Sequence, residues 1–265
     1  NKTREILDRN PKIKADSGQR YVMTLSHLLR CYIDSHQFDK AEQLIKDLRS
    51  LEGVKGFDST DIRVRIFTST SNLELALLHA MGDFENAVQK IPSIEALQEE
   101  YGEKVSKEQE ILFTYNKAYS YFGKGEFKKA LQYINQVLND NEQNLRQDIY
   151  SFARLFNLVL HYELENYDFL EYVIKSTNRY YSKQERDYEV ETVCIKHIRK
   201  LAKCITQNER LTELQNMKKD IDRLLQDHNE RVVLEYFNIA AWIDSKLKRL
   251  SMSEAVRLSL KDLIR

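Results

Sequence analysis

Apolar residues return along much of this chain in steps of three and four, the spacing that lines one face of an α-helix. Tyr21, Leu25, Leu28, Leu29 and Tyr32 form one such stripe. After a break at His36-Gln37 a second runs through Phe38, Ala41, Leu44, Ile45 and Leu48. Two amphipathic helices joined by a tight turn predict an αα-hairpin, closed here by Gly53 and Gly56. The figure recurs. The turn at 79–83 leads into Phe84, Ala87, Ile91 and Ile94, and the turn at 123–126 into Phe127, Ala130, Ile134 and Val137. Glu165-Asn166 leads into Tyr167, Leu170 and Ile174. Each time an aromatic opens the second helix, a small or apolar residue follows three later and an aliphatic seven later, so the three share a face. Weaker copies start at Leu211, with Leu214 and Ile221, and at Met252, with Ala255. The six openings lie about 43 residues apart, the range of helical repeat arrays.

Local signals refine the boundaries. Ser106 with Gln109, and Ser182 with Glu185, read as capping boxes that open helices. The polar run 139–144 separates the third and fourth hairpins. Pro92 lacks an amide proton and is expected to kink or split its helix near Ile91, with Ser93 capping the restart. Residues 150–162 are apolar nearly all round, which predicts a helix buried on several sides.

Composition agrees with an all-α chain. Among 265 residues there are only 7 Gly and 2 Pro, with 31% charged and 42% hydrophobic residues. Lys plus Arg and Asp plus Glu are each 41, so the net charge is zero, and the basic excess of a nucleic-acid binder is missing. Cys31, Cys194 and Cys204 form no CxxC motif and no disulfide framework, which points to a reducing, cytoplasmic setting. No apolar run has the length of a membrane span. The chain begins at Asn1. Ile6 and Pro11 look like the last apolar residue and closing Pro of a preceding repeat, so a longer array is expected upstream.

The run 121–127, Tyr-Phe-Gly-Lys-Gly-Glu-Phe, continued by Ala130 and Ile134, resembles the second-helix signature of the tetratricopeptide repeat. Tyr32 with Phe38, Ala41 and Ile45, and Gly82 with Phe84, Ala87 and Ile91, resemble it too. The period exceeds that family's value of about 34. The Trp-Leu-Gly arrangement is missing, and the lone Trp242 falls in the irregular last pair. The expectation is an all-α, right-handed superhelical α-solenoid of about six hairpins, of a long-period tetratricopeptide-like kind; a HEAT-like or armadillo-like array has a similar period. Residues 1–19 would end a preceding repeat and link to it, 20–182 would form four hairpins, and 183–265 two degenerate ones. The resemblance implies that first helices line a concave groove. His27, Arg30, Asn72, Tyr115, Asn116, Tyr119, Tyr162, Arg199 and Lys203 would face it. The family's carboxylate clamp is not reproduced in the first three pairs, which argues against chaperone-tail binding.

Candidate chemistry is sparse. His27 with Cys31, and Cys194 with His197, have helical ligand spacing, but zinc wants four ligands and the pairs belong to different hairpins. No Gly-rich phosphate loop, GxSxG or HExxH occurs. No catalytic residue, metal or cofactor is therefore assigned. Lys196, Arg199, Lys200 and Lys203 share one helical face, an anion-accepting patch, opposite a core stripe of Cys194, Ile198, Leu201 and Ile205. The expected function is a non-enzymatic protein-interaction scaffold. Its groove would take a peptide or partner helix, preferably an acidic segment with apolar anchors. The alternatives are a ligand- or peptide-sensing domain of a larger signalling protein and a Cys–His hydrolase. Neither nucleic-acid binding nor a membrane span is expected.

Overall fold

The computed structural model describes residues 2–183 and 188–263, and the described residues hold fifteen α-helices and no strand. In chain order these are α1 (Lys2–Asp8), α2 (Pro11–Asp16), α3 (Gly18–Asp34), α4 (Phe38–Arg49), α5 (Thr60–Ala80) and α6 (Phe84–Tyr101). Then come α7 (Lys107–Gly123), α8 (Phe127–Leu138), α9 (Gln147–Glu163), α10 (Tyr167–Tyr181) and α11 (Glu189–Leu201). The last are α12 (Gln207–Leu224), α13 (Val233–Tyr236), α14 (Ile239–Lys248) and α15 (Met252–Leu263). No described helix is long and apolar enough to cross a membrane.

The hairpin turns share one backbone device. The N–H of Gln37 reaches the carbonyl of Tyr32, Asp83 that of Leu78, Glu126 that of Tyr121, and Asn166 that of His161, all at 2.8–2.9 Å. The preceding residue in each turn, His36, Gly82, Gly125 or Glu165, bonds back three positions and has a positive φ between 56° and 87°. This pair of bonds is the Schellman closure of a helix C-terminus, and it needs a left-handed residue. Two residues later Phe38, Phe84, Phe127 and Tyr167 open α4, α6, α8 and α10, as the sequence pattern predicted. Arg249 (φ 56°) and the bond from Leu250 N–H to the Ser245 carbonyl close α14 in the same way before Met252 opens α15.

The chain forms two compact units, residues 1–116 and 117–265, with the division inside α7. In the first unit α3 packs on both α4 and α5, and α5 on both α4 and α6. Val22, Leu25, Leu29, Ala41, Leu44, Leu48 and Ile66 are buried in its core. Helix α1 is tied on by Arg4 to Asp47 (3.0 Å) and by the Tyr21 hydroxyl donating to Asp8 (2.7 Å). In the second unit α9 touches α8, α10, α11 and α13, so its residues 149–162 are buried at every position but Arg154. That is the all-round burial its composition predicted. Helix α11 begins with two amides that α11 itself cannot satisfy. The Glu230 carboxylate takes both, from Glu189 (2.9 Å) and Val190 (2.8 Å).

Several local expectations change. Helix α6 runs unbroken through Pro92, whose ring lies on the exposed side, and the Ser93 hydroxyl donates to the Lys90 carbonyl rather than capping a restart. Ser182 closes α10, donating to the Arg179 carbonyl, while its expected partner Glu185 lies outside the described residues. Capping boxes form at Thr206 with Glu209 and at Ser251 with Glu254. Helix α12 starts at Gln207, a turn before Leu211. Pro11 opens α2, and Leu7 rather than Ile6 is buried. Ile205 lies past the end of α11 and is 88% exposed, so it leaves the core stripe that Cys194, Ile198 and Leu201 do form.

Candidate functional site

The first helices carry the residues expected to bind. In the first unit, α5 and α7 are bridged by a chain of side-chain amides. Asn116 Nδ2 donates to Asn72 Oδ1 (3.0 Å), and Asn72 Nδ2 donates to Gln109 Oε1 (3.0 Å) and to the Thr68 carbonyl (3.1 Å). Asn72 is buried and Asn116 half-buried. A buried amide with all its groups engaged is rigid, because leaving any of them open costs about 1–3 kcal/mol. On α3, His27 is exposed, and Arg30 is half-buried and paired with Asp34 at 3.3 Å. Tyr115 is fully buried and belongs to the core, not to a groove.

In the second unit the expected groove tyrosines are covered by the chain's own C-terminal segment. Tyr236 stacks on Phe152 with ring centroids 4.3 Å apart, and its hydroxyl donates to Asp148 Oδ2 (2.7 Å). Phe237 sits among Tyr119, Phe122 and Phe156, at 5.8, 5.3 and 5.0 Å. Phe237 is extended (φ −146°, ψ 118°), and the next amide, Asn238 N–H, donates to the Tyr119 hydroxyl at 3.2 Å. Farther on, the Trp242 ring meets Tyr162 edge-on at 5.9 Å, and Trp242 Nε1 and Lys246 Nζ both donate to the buried Glu163 carboxylate. Tyr119 and Tyr162 are thus already engaged. Burial pushes both hydroxyls up, Tyr162 to about 12. Burial alone would raise the Asp148 carboxyl too, but hydrogen bonds from Arg146 and Tyr236 outweigh it and hold it at about 2.

The basic stripe on α11 is matched by carboxylates of the same unit. Lys196 pairs with Asp220 at 3.2 Å and Lys200 with Glu213 at 3.5 Å, both on α12. Arg199 and Lys203 share Glu171 of α10, at 3.4 and 3.7 Å. Between the two lysines lies buried His197, with Nδ1 2.7 Å from Glu213 and Nε2 2.9 Å from Asp220. The four cations are brought together as expected, but they clasp neighbouring helices instead of forming a bare anion patch. The acidic-partner expectation loses its residue-level support.

The two Cys and His pairs lie in different units. Cys194 is buried, and burial pushes its thiol up, away from the thiolate a nucleophile or metal ligand needs. His197 is turned to carboxylates, as above. Cys31 is exposed beside exposed His27. Among the described residues no group of three His, Cys, Asp or Glu could hold a metal ion. Sequence reasoning missed one exposed feature. Phe169 and Tyr172 of α10 are 50% and 66% exposed, with ring centroids 5.4 Å apart, and Phe169 leans on His161 at 5.0 Å. Their signal was their place off the buried stripe of Leu170, Val173, Ile174 and Thr177.

In comparisons with protein-family models, with curated proteins and with solved structures, nothing matched this chain.

Proposed function

We propose that this chain is a non-enzymatic protein-interaction module, a long-period tetratricopeptide-like array with a right-handed superhelical course, whose first-helix faces take up extended peptide segments. One observation supports the reading: the first-helix face formed by α7 and α9 in the second unit holds the chain's own two-residue link Phe237-Asn238, between α13 and α14, with an aromatic anchor in a ring cluster and a backbone amide on the Tyr119 hydroxyl. Main-chain hydrogen bonds with side-chain pockets are a common way of holding an extended peptide. In the first unit half-buried Asn116, exposed His27 and half-buried Arg30 are the first-helix polar groups proposed to meet a ligand. The ligand proposed there is an extended segment with an aromatic anchor; the neutralised α11 stripe gives no reason to require acidic residues.

The test is selection of displayed random peptides on the immobilised chain. Enrichment of aromatic-anchored sequences is expected, with binding weakened about tenfold in Asn116→Ala and in the double variant His27→Ala, Arg30→Ala at unchanged helicity. Failure to enrich any sequence, or full binding by both variants, overturns the reading.

A further inference from the structure

A second surface of the first unit lies on a different side of α5 from Asn72. Between α4, α5 and α6 there is an open cleft of about 350 Å³. That is the lower end of the size range of small-molecule sites. Its polar wall is built around Glu74, whose carboxylate accepts a two-point bond from Arg49 (Nη1 3.2 Å, Nη2 2.6 Å) and lies 3.1 Å from Lys90 Nζ. Two cations therefore share one carboxylate. Arg49 has five N–H donors and Lys90 three, so both keep donors to spare.

The base of the cleft holds Ser71. This residue is 5% exposed and lines the cavity, so its hydroxyl opens on the cleft. A hydroxyl so placed can donate to a polar ligand in the cleft in place of water. The remaining walls are apolar and acidic: buried Ile94 and partly exposed Leu97 on α6, and Glu52 beyond the end of α4. The charges of Arg49 and Lys90 balance those of Glu74 and Glu52 overall, but the surplus donors and the acceptor sit in different places.

We propose that this cleft binds an α-carboxylate bearing an N–H donor on its α-carbon and an aliphatic side chain. The carboxylate takes the spare donors of Arg49 and Lys90 and the Ser71 hydroxyl. The N–H meets Glu52, and the side chain covers Leu97 over Ile94. Two sources carry that chemistry, a free aliphatic amino acid and the C-terminal residue of a peptide. The site is separate from the first-helix face and stands without it.

Calorimetric titration of the full chain with L-leucine, N-acetyl-L-leucine and L-leucinamide tests this. Millimolar or tighter binding is expected for at least one of the two carboxylates and none for leucinamide. Tighter binding of leucine assigns the free amino acid; equal or tighter binding of N-acetyl-leucine assigns the peptide terminus. Lys90→Gln keeps the Arg49–Glu74 pair and is expected to weaken binding about tenfold. Ser71→Ala is expected to weaken it severalfold at unchanged helicity. No binding of either carboxylate, equal binding of leucinamide, or wild-type affinity in both variants overturns the proposal.

Discussion

The backbone N–H of Asn238 donates to the hydroxyl of Tyr119 at 3.2 Å, joining positions 119 residues apart. The bond fixes the start of α14 against the last turns of α7, and the ring beneath it packs on Phe122, Phe156 and Phe237. Tyr119→Phe keeps the ring and removes the acceptor. The expected result is a loss of about 1–3 kcal/mol, the cost of a part-buried amide left open. In urea unfolding the midpoint falls while the slope holds. An unchanged midpoint would mean that solvent already satisfies that amide.

His79 makes the first unit acid-sensitive. It lies buried at the end of α5, stacked on Phe84 at 5.6 Å, and burial pushes its imidazole down to about 3. An unfolded histidine takes its proton near 6.5. Between these values the unfolded chain holds the extra proton, so acid favours unfolding. The His79 contribution is neutral above pH 6.5 and grows more unfavourable down to about 3, with a loss of about 2 kcal/mol between pH 6.5 and 5. His79→Leu is expected to flatten that slope in unfolding curves recorded across the range. A slope equal to that of the parent would mean that the buried ring is protonated in the fold.

Glu165 occupies a turn position where two other hairpins use glycine. Its φ is 56°, and a side chain in the left-handed region costs about 1–2 kcal/mol. Glu165→Gly is expected to raise stability by about 1 kcal/mol, less the extra freedom glycine gives the unfolded chain. The reverse change, Gly125→Ala at φ 87°, is expected to lower it. A Cβ there would meet nothing within 4 Å, so backbone conformation alone sets the sign. Melting temperatures of the two variants decide the matter, and shifts in the same direction would refute it.

Local rhythm in the sequence revealed the hairpins, because an opening aromatic two residues after a left-handed turn repeats wherever the same closure is used. Burial of α9 was legible as well, since no polar face was left to expose. Its cover was not: Tyr236 and Phe237 lie some eighty residues downstream, at the end of a four-residue helix that follows a 3-10 turn, and neither element has a repeat pattern. The same limit applied to the α11 cations. Periodicity gave their shared face but not Glu171, Glu213 and Asp220 opposite them. Tyr115 shows the precision required. It and Tyr119 are one helical turn apart on a buried face, while its neighbour Asn116 belongs with Asn72 and Gln109. The Ser71 cleft left no mark in the sequence, because it combines three helices through residues that look ordinary on each.

The Glu230 cap has a consequence for the order in which this protein can be made. Helix α11 leaves the ribosome with its first amides facing water, and their acceptor follows forty-one residues behind. The helix can form early on its own apolar stripe, but its opening turn stays frayed until the stretch around residue 230 has emerged and turned back. Unit two is therefore finished from its far end, and a nascent chain stalled before that point would expose the start of α11 to proteases that the released protein resists.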